Sequence, residues 1–163
     1  MELEVDIEEP WPSAAWEELA SRTALAAAQV APELANPRLS ASLLFTSDRE
    51  IRALNREWRG RDQPTNVLSF PMLARGELLT LAPEGPPVLL GDIALAHETC
   101  LREAAEKGVP VEHHAAHLVV HGLLHLAGHD HEISAAEAGA MEALETKALA
   151  RMGIADPYGA GDA

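Results

Sequence analysis

Seven of the chain's eight histidines fall between His113 and His131, and the eighth is His97. The densest stretch reads His121-Gly122-Leu123-Leu124-His125-Leu126-Ala127-Gly128-His129-Asp130-His131. On a helix, side chains four residues apart project from one face, one turn apart, so His121 and His125 can share one ion. Gly128 lets the chain leave that helix and turn back, which brings His131 into range as a third ligand. Three neutral imidazoles hold a zinc ion and leave a fourth position for water, the form of a catalytic rather than a structural site. Water in that position has a pKa near ~7, so hydroxide is available at neutral pH. His129 and Asp130 sit beside the third ligand and are candidates for a general base by proximity alone. His113 and His114 read as surface residues. His117 reads as a packed or ligand-backing residue, and His97 as a strand-end residue.

The same spacing occurs in the metzincin protease pattern H-E-x-x-H-x-x-G-x-x-H, with one departure. Gly122 stands where the proteases carry the glutamate that activates water. A glutamate placed at 122 is expected to face the site. As it stands, the metal geometry is kept and the protease chemistry is not. Nearby charge points to another kind of ester. Arg49, Arg52, Arg56, Arg59 and Arg61 are five of only 12 basic residues. Glu50 and Glu57 offset two of them, so this short segment is net positive on a chain whose formal charge is -14. Cations beside a hydrolytic metal suit a phosphodiester, whose negative charge must be neutralised. Arg49 and Arg52 read as solvated helix residues. Arg59 and Arg61 fall at the helix end and in the loop before Pro64, where binding residues concentrate.

The elements that must position these groups follow from periodicity and punctuation. Leu3, Val5 and Ile7 alternate with acidic residues, a first strand. A helix follows over 13–29, with Ser13 as its cap, and a second strand over 39–45. Ser47-Asp48-Arg49-Glu50 is a capping box that opens a helix carrying Ile51, Leu54 and Trp58 inward and stopping near Gly60. Residues 65–70 read as a third strand, and 73–87 as a loop rich in Gly and Pro. Residues 88–96 are almost continuously apolar, which marks a central, buried strand. Helices follow over 98–107, over 110–127 and, from the capping box at Ser134, to 152. This order predicts an α+β fold: one domain over 1–155, a small mixed sheet packed against several helices, the metal site at the end of a long helix, and a frayed tail over 156–163.

Composition narrows the partners. With 26 acidic residues, the average surface repels phosphate backbones and excludes a generally basic coating protein, though not a local basic cleft. One cysteine, Cys100, excludes an intramolecular disulfide framework and suits the reducing cytoplasm. The acidic start is unlike a signal peptide, and no apolar run is long enough to span a bilayer.

Three blocks together resemble the YbeY family of bacterial endoribonucleases. Residues 58–71, Trp-Arg-Gly-Arg-Asp-Gln-Pro-Thr-Asn-Val-Leu-Ser-Phe-Pro, are similar to its R-G-x-D-x-P-T-[DN]-V-L-S-F-P segment. Residues 90–93 resemble its G-D-I strand, residues 121–131 its H-G-x-L-H-L-x-G-Y-D-H signature, and residues 137–145 its following acidic helix. The resemblance implies a zincin-like fold and a zinc-dependent, single-strand-specific endoribonuclease acting in ribosomal RNA maturation and ribosome quality control. It implies one zinc per chain on His121, His125 and His131, a functional arginine at Arg59, and ribosomal RNA, the ribosome or ribosomal proteins as partners. His129 departs from the signature's tyrosine and reads as a planar substitute for it. Two further readings stand beside this one. One is a metal-holding ribosome-assembly factor with little catalysis of its own, which the acidic body and the missing base would suit. The other is a metalloprotease-like hydrolase.

Overall fold

The computed structural model describes residues 1–12, 15–129 and 134–158. Ser13, Asp130 and His131 lie outside them. The elements run β1 (Glu2–Ile7), α1 (Trp16–Val30), a 3-10 turn (Pro32–Ala35), β2 (Leu39–Thr46), α2 (Asp48–Arg59), β3 (Val67–Pro71), α3 (Arg75–Leu79), β4 (Val88–Ala96), α4 (His97–Lys107), α5 (Val111–Leu126) and α6 (Ala135–Arg151). The fold is α+β, with a mixed four-stranded sheet and several helices.

The strands are ordered β1-β2-β4-β3. β1 and β4 both run parallel to β2, and β3 runs antiparallel to β4. β4 is therefore central, as its apolar run requires. Ser40 faces Leu89 while Ala41 faces Gly91, so Leu90 is an extra residue, a bulge in β4. The bulge shifts the alternation so that Leu90, Ile93 and Leu95 all join the larger core with Leu39, Leu43 and Phe45 of β2. That core is closed by α1, α5 and α6, through residues such as Ala20, Val119, Leu123 and Leu149. A smaller core on the other face holds Ile51 of α2 with Leu68, Ala94 and Ala96.

The capping serines act as their sequence context requires. Ser47 Oγ accepts the Glu50 amide at 3.2 Å, and Ser134 Oγ accepts the Glu137 amide at 3.1 Å. Gly60 and Gly108 end α2 and α4 in the left-handed conformation. Two expectations are corrected. Residues 73–87 are not all loop, because α3 forms within them: Glu77 Oε1 accepts the Ala74 amide at 3.1 Å, and Leu78 is buried. Trp58 does not face inward. It is 67% exposed, because α2 runs past the small core that covers Ile51 and Leu54.

Candidate metal centre

α5 is held tightly against the sheet. A Cβ built at Gly122 would lie 3.0 Å from Ile93 Cδ1 and Cγ2, so the helix approaches β4 at the thickness of a glycine. A glutamate at position 122 would therefore press its Cβ against Ile93, and the helix or that side chain would have to yield by a few tenths of an ångström. The helix exit is pinned as well. Arg75 of α3 donates to the Ala127 carbonyl at 2.6 Å and pairs with Glu33 at 3.1 Å. Its side chain lies against Gly128, whose φ of 95° lets the chain turn after the helix.

His121 and His125 bring their Nε2 atoms to 3.1 Å from each other. Two nitrogens bound to one tetrahedral zinc at ~2.0–2.1 Å would stand roughly 3.3 Å apart, so the pair fits a shared ion. His121 Nδ1 lies 3.2 Å from Glu145 Oε2 on α6. A proton on Nδ1, donated to that carboxylate, leaves the Nε2 lone pair for a metal, as second-shell carboxylates do for ligating histidines. Glu145 is 1% exposed. Its other oxygen accepts from Tyr158 Oη at 2.5 Å and lies 2.6 Å from His117 Nε2. Burial alone would push its carboxyl up, but hydrogen bonds from His117, His121 and Tyr158 outweigh it and hold the pKa at about 2. Glu145 is thus an anion at neutral pH, placed to orient His121. The Tyr158 hydroxyl is raised above its ordinary value by burial and by that carboxylate.

Beside His121 opens a cavity of about 270 Å³, edged by Asn66, Lys107, His117 and Tyr158. Glu103 on its wall accepts from Asn66 Nδ2 at 3.0 Å and lies 2.8 Å from His114 Nε2. His114 is 3% exposed, which corrects its assignment to the surface. His97 follows β4 directly, as expected of a strand-end residue, and packs its ring on Trp11 with centroids 4.9 Å apart. Asp92 accepts a hydrogen bond from Ser42 across the β2–β4 pairing, a structural tie. Burial pushes the Cys100 thiol up to about 12, so no thiolate is on hand as nucleophile or ligand there.

Of the expected ligands, the structure brings His121 and His125 together, and His131 lies outside the described residues. Among the described residues no group of three potential ligands forms. His129 lies beside Glu33, with Nε2 3.9 Å from its carboxylate, and burial holds its imidazole below the ordinary value. Asp130 lies outside the described residues. Arg59 and Arg61 are exposed. Their loop is tied back to α2: Arg61 N donates to Asn55 O at 3.2 Å, Asn55 Nδ2 to Gln63 O at 2.8 Å, and Arg52 to Asp62 at 2.8 Å. Glu145 and Tyr158 were missed by sequence reasoning. One signal was available for Glu145: it falls on the buried stripe of Met141, Ala148 and Leu149, where an acid must be paired.

The model of the Endoribonuclease YbeY family matches residues 6–153. This chain belongs to that family. Two YbeY relatives match over nearly their whole lengths. The chain is 63% identical over 159 residues to "Endoribonuclease YbeY" of Erythrobacter litoralis, covering 98% of each chain. It is 62% identical over 162 residues to the protein of that name in Novosphingobium aromaticivorans, covering 98% of this chain and 97% of the relative. The fold is similar to the solution structure of TM1509 from Thermotoga maritima, with a TM-score of 0.58, 24% identity, and 92% and 91% of the two chains covered. Among the described residues of this YbeY chain, no helix is long and apolar enough to cross a membrane.

Proposed function

We propose that this YbeY chain is a zinc-dependent, single-strand-specific endoribonuclease of ribosomal RNA maturation and ribosome quality control, working in the cytoplasm with ribosomal RNA and the ribosome or its proteins. Family membership supports RNA endonuclease activity. The observation that carries the metal reading is the pair of Nε2 atoms at 3.1 Å, one of them backed by a buried carboxylate. His121, His125 and His131 would hold one zinc ion on a zincin-like frame. Bound there, zinc supplies a Lewis acid for a phosphoryl oxygen and acidifies water at neutral pH. Glu145 keeps the His121 ring oriented and its Nε2 lone pair free of a proton. Arg59 contributes a guanidinium that pairs with phosphate oxygens and offsets the charge that develops during displacement. Arg61 extends that contact along the strand. Water or the RNA's own 2′-hydroxyl is the nucleophile. His129 and Asp130 are the candidates to take its proton.

The test is cleavage of single-stranded and structured RNA by wild type, His121→Ala and Arg59→Glu in parallel preparations, with chelator controls and a peptide panel. Wild type should cleave RNA and lose activity to chelator. His121→Ala should retain little activity, and Arg59→Glu should fall by about a hundredfold or more, the scale of one lost charge-stabilising contact. Equal residual activity in all three would favour the assembly-factor reading, and cleavage of peptides without RNA the protease-like one.

A further inference from the structure

Trp58 is the most exposed of the large apolar side chains described. The other two tryptophans, Trp11 and Trp16, are each 3% exposed. Trp58 continues the inward stripe of Ile51 and Leu54 on α2, but the small core beneath that helix holds Leu54 and Phe70 and does not reach it. Leaving an indole in water forgoes the burial that tryptophan usually finds. Two exposed arginines, Arg59 and Arg61, follow it closely in the chain. Arg52 is held by Asp62, which Arg56 also faces electrostatically, whereas Arg59 and Arg61 are exposed and, among the described residues, form no ion pair. The backbone that carries them is fixed by the ties between α2 and its following loop.

An open indole face close in the chain to exposed guanidinium groups matches one ligand chemistry. An unpaired base offers a face to stack on, while its flanking phosphates accept from arginine. A paired base keeps both faces inside the helix stack. A purely acidic peptide would satisfy the arginines but offers the indole no face to stack on.

We propose that Trp58 is a stacking platform for one unpaired nucleobase of single-stranded RNA whose phosphates lie on Arg59 and Arg61. The proposal rests on RNA as the substrate and adds a base-binding position outside the histidine centre. Asn66, at the cavity beside His121, follows Trp58 by only eight residues, so the two are at most about 28 Å apart. A short strand can touch both.

The experiment titrates the protein with 2′-O-methylated oligouridylate, which lacks a free 2′-hydroxyl, while tryptophan emission is read. Trp11 and Trp16 are buried, so quenching reports Trp58. Wild type should show saturable quenching. Trp58→Ala should show none and bind about tenfold more weakly or worse, the scale of one lost stack, and Trp58→Phe should keep most of the affinity. A strand of equal length and charge with abasic sugars should bind wild type and Trp58→Ala alike. Oligouridylate binding unchanged in Trp58→Ala would overturn the platform and leave RNA cleavage, measured separately, standing. Absence of oligouridylate binding by wild type, or equal quenching by oligoglutamate, would also overturn it, the latter in favour of an acidic protein partner.

Discussion

Burial differs among the histidines of α5. All three of His114, His117 and His121 face carboxylates, but His121 keeps 22% of its side chain exposed where His114 and His117 keep 3% and 9%. His114 permits a pH prediction. Burial holds its imidazole below the ordinary 6.5 despite Glu103. Burial pushes Glu103 up, but hydrogen bonds from His114 and Asn66 outweigh it and hold the carboxyl below 4.5. Between them runs a hydrogen bond from a neutral ring to an anion. Both groups bind protons more readily in the unfolded chain, so each contributes stability that rises with pH. The His114 share is complete above about 6.5 and is lost below it; the Glu103 share is complete above about 4.5 and is lost as pH falls through its folded value. His114→Leu should cost about 1–2 kcal/mol at pH 7.5. The gap from wild type should narrow as pH drops from 7 to 4, measured by urea unfolding at each pH. A gap constant across that range would rule out this account.

The elements show why some of the fold was legible and some was not. Capping at Ser47 and Ser134, the central placement of β4 and the meeting of His121 with His125 all follow from neighbours within four residues or from a continuous apolar run. α3 has no polar side chain at Ala74; Glu77 closes its first turn locally, but the burial of Leu78 that anchors it is a tertiary contact. Trp58 obeyed the helical period and still ended in solvent, because period does not reveal where the partner surface stops. Glu145 and Tyr158 reach the site from 24 and 37 residues beyond His121. β4 yields a prediction at this scale. A Cβ at Gly91, where φ is 155°, would sit 2.4 Å from the Phe70 carbonyl oxygen and 2.7 Å from Leu126 Cδ2. Gly91→Ala must therefore part β3 from β4 or lift the end of α5, and should cost about 3 kcal/mol or more. Gly108→Ala meets nothing within 4 Å and should cost only about 1–2 kcal/mol for its left-handed φ of 67°. Denaturation midpoints of the two variants, read together, separate steric from conformational cost.

At the scale of the whole molecule, charge is segregated: a basic end on α2 and an acidic remainder that includes β1. In β1, Glu2, Glu4 and Asp6 are exposed while Leu3 and Val5 are half-buried. Among the described residues β1 pairs with β2 alone, so its outer side offers backbone donors and acceptors to whatever comes near. An uncommitted strand edge is a template for polymerisation, and a row of like charges along it is a deterrent: two copies meeting edge to edge would bring six carboxylates together. The acidic strand thus acts as a guard against self-association as well as a part of the sheet. Replacing Glu2 and Glu4 by Gln and Asp6 by Asn should leave the fold and its thermal midpoint nearly unchanged. The same replacement should raise light scattering during concentrated storage, and scattering equal to that of wild type would remove the guard role from β1.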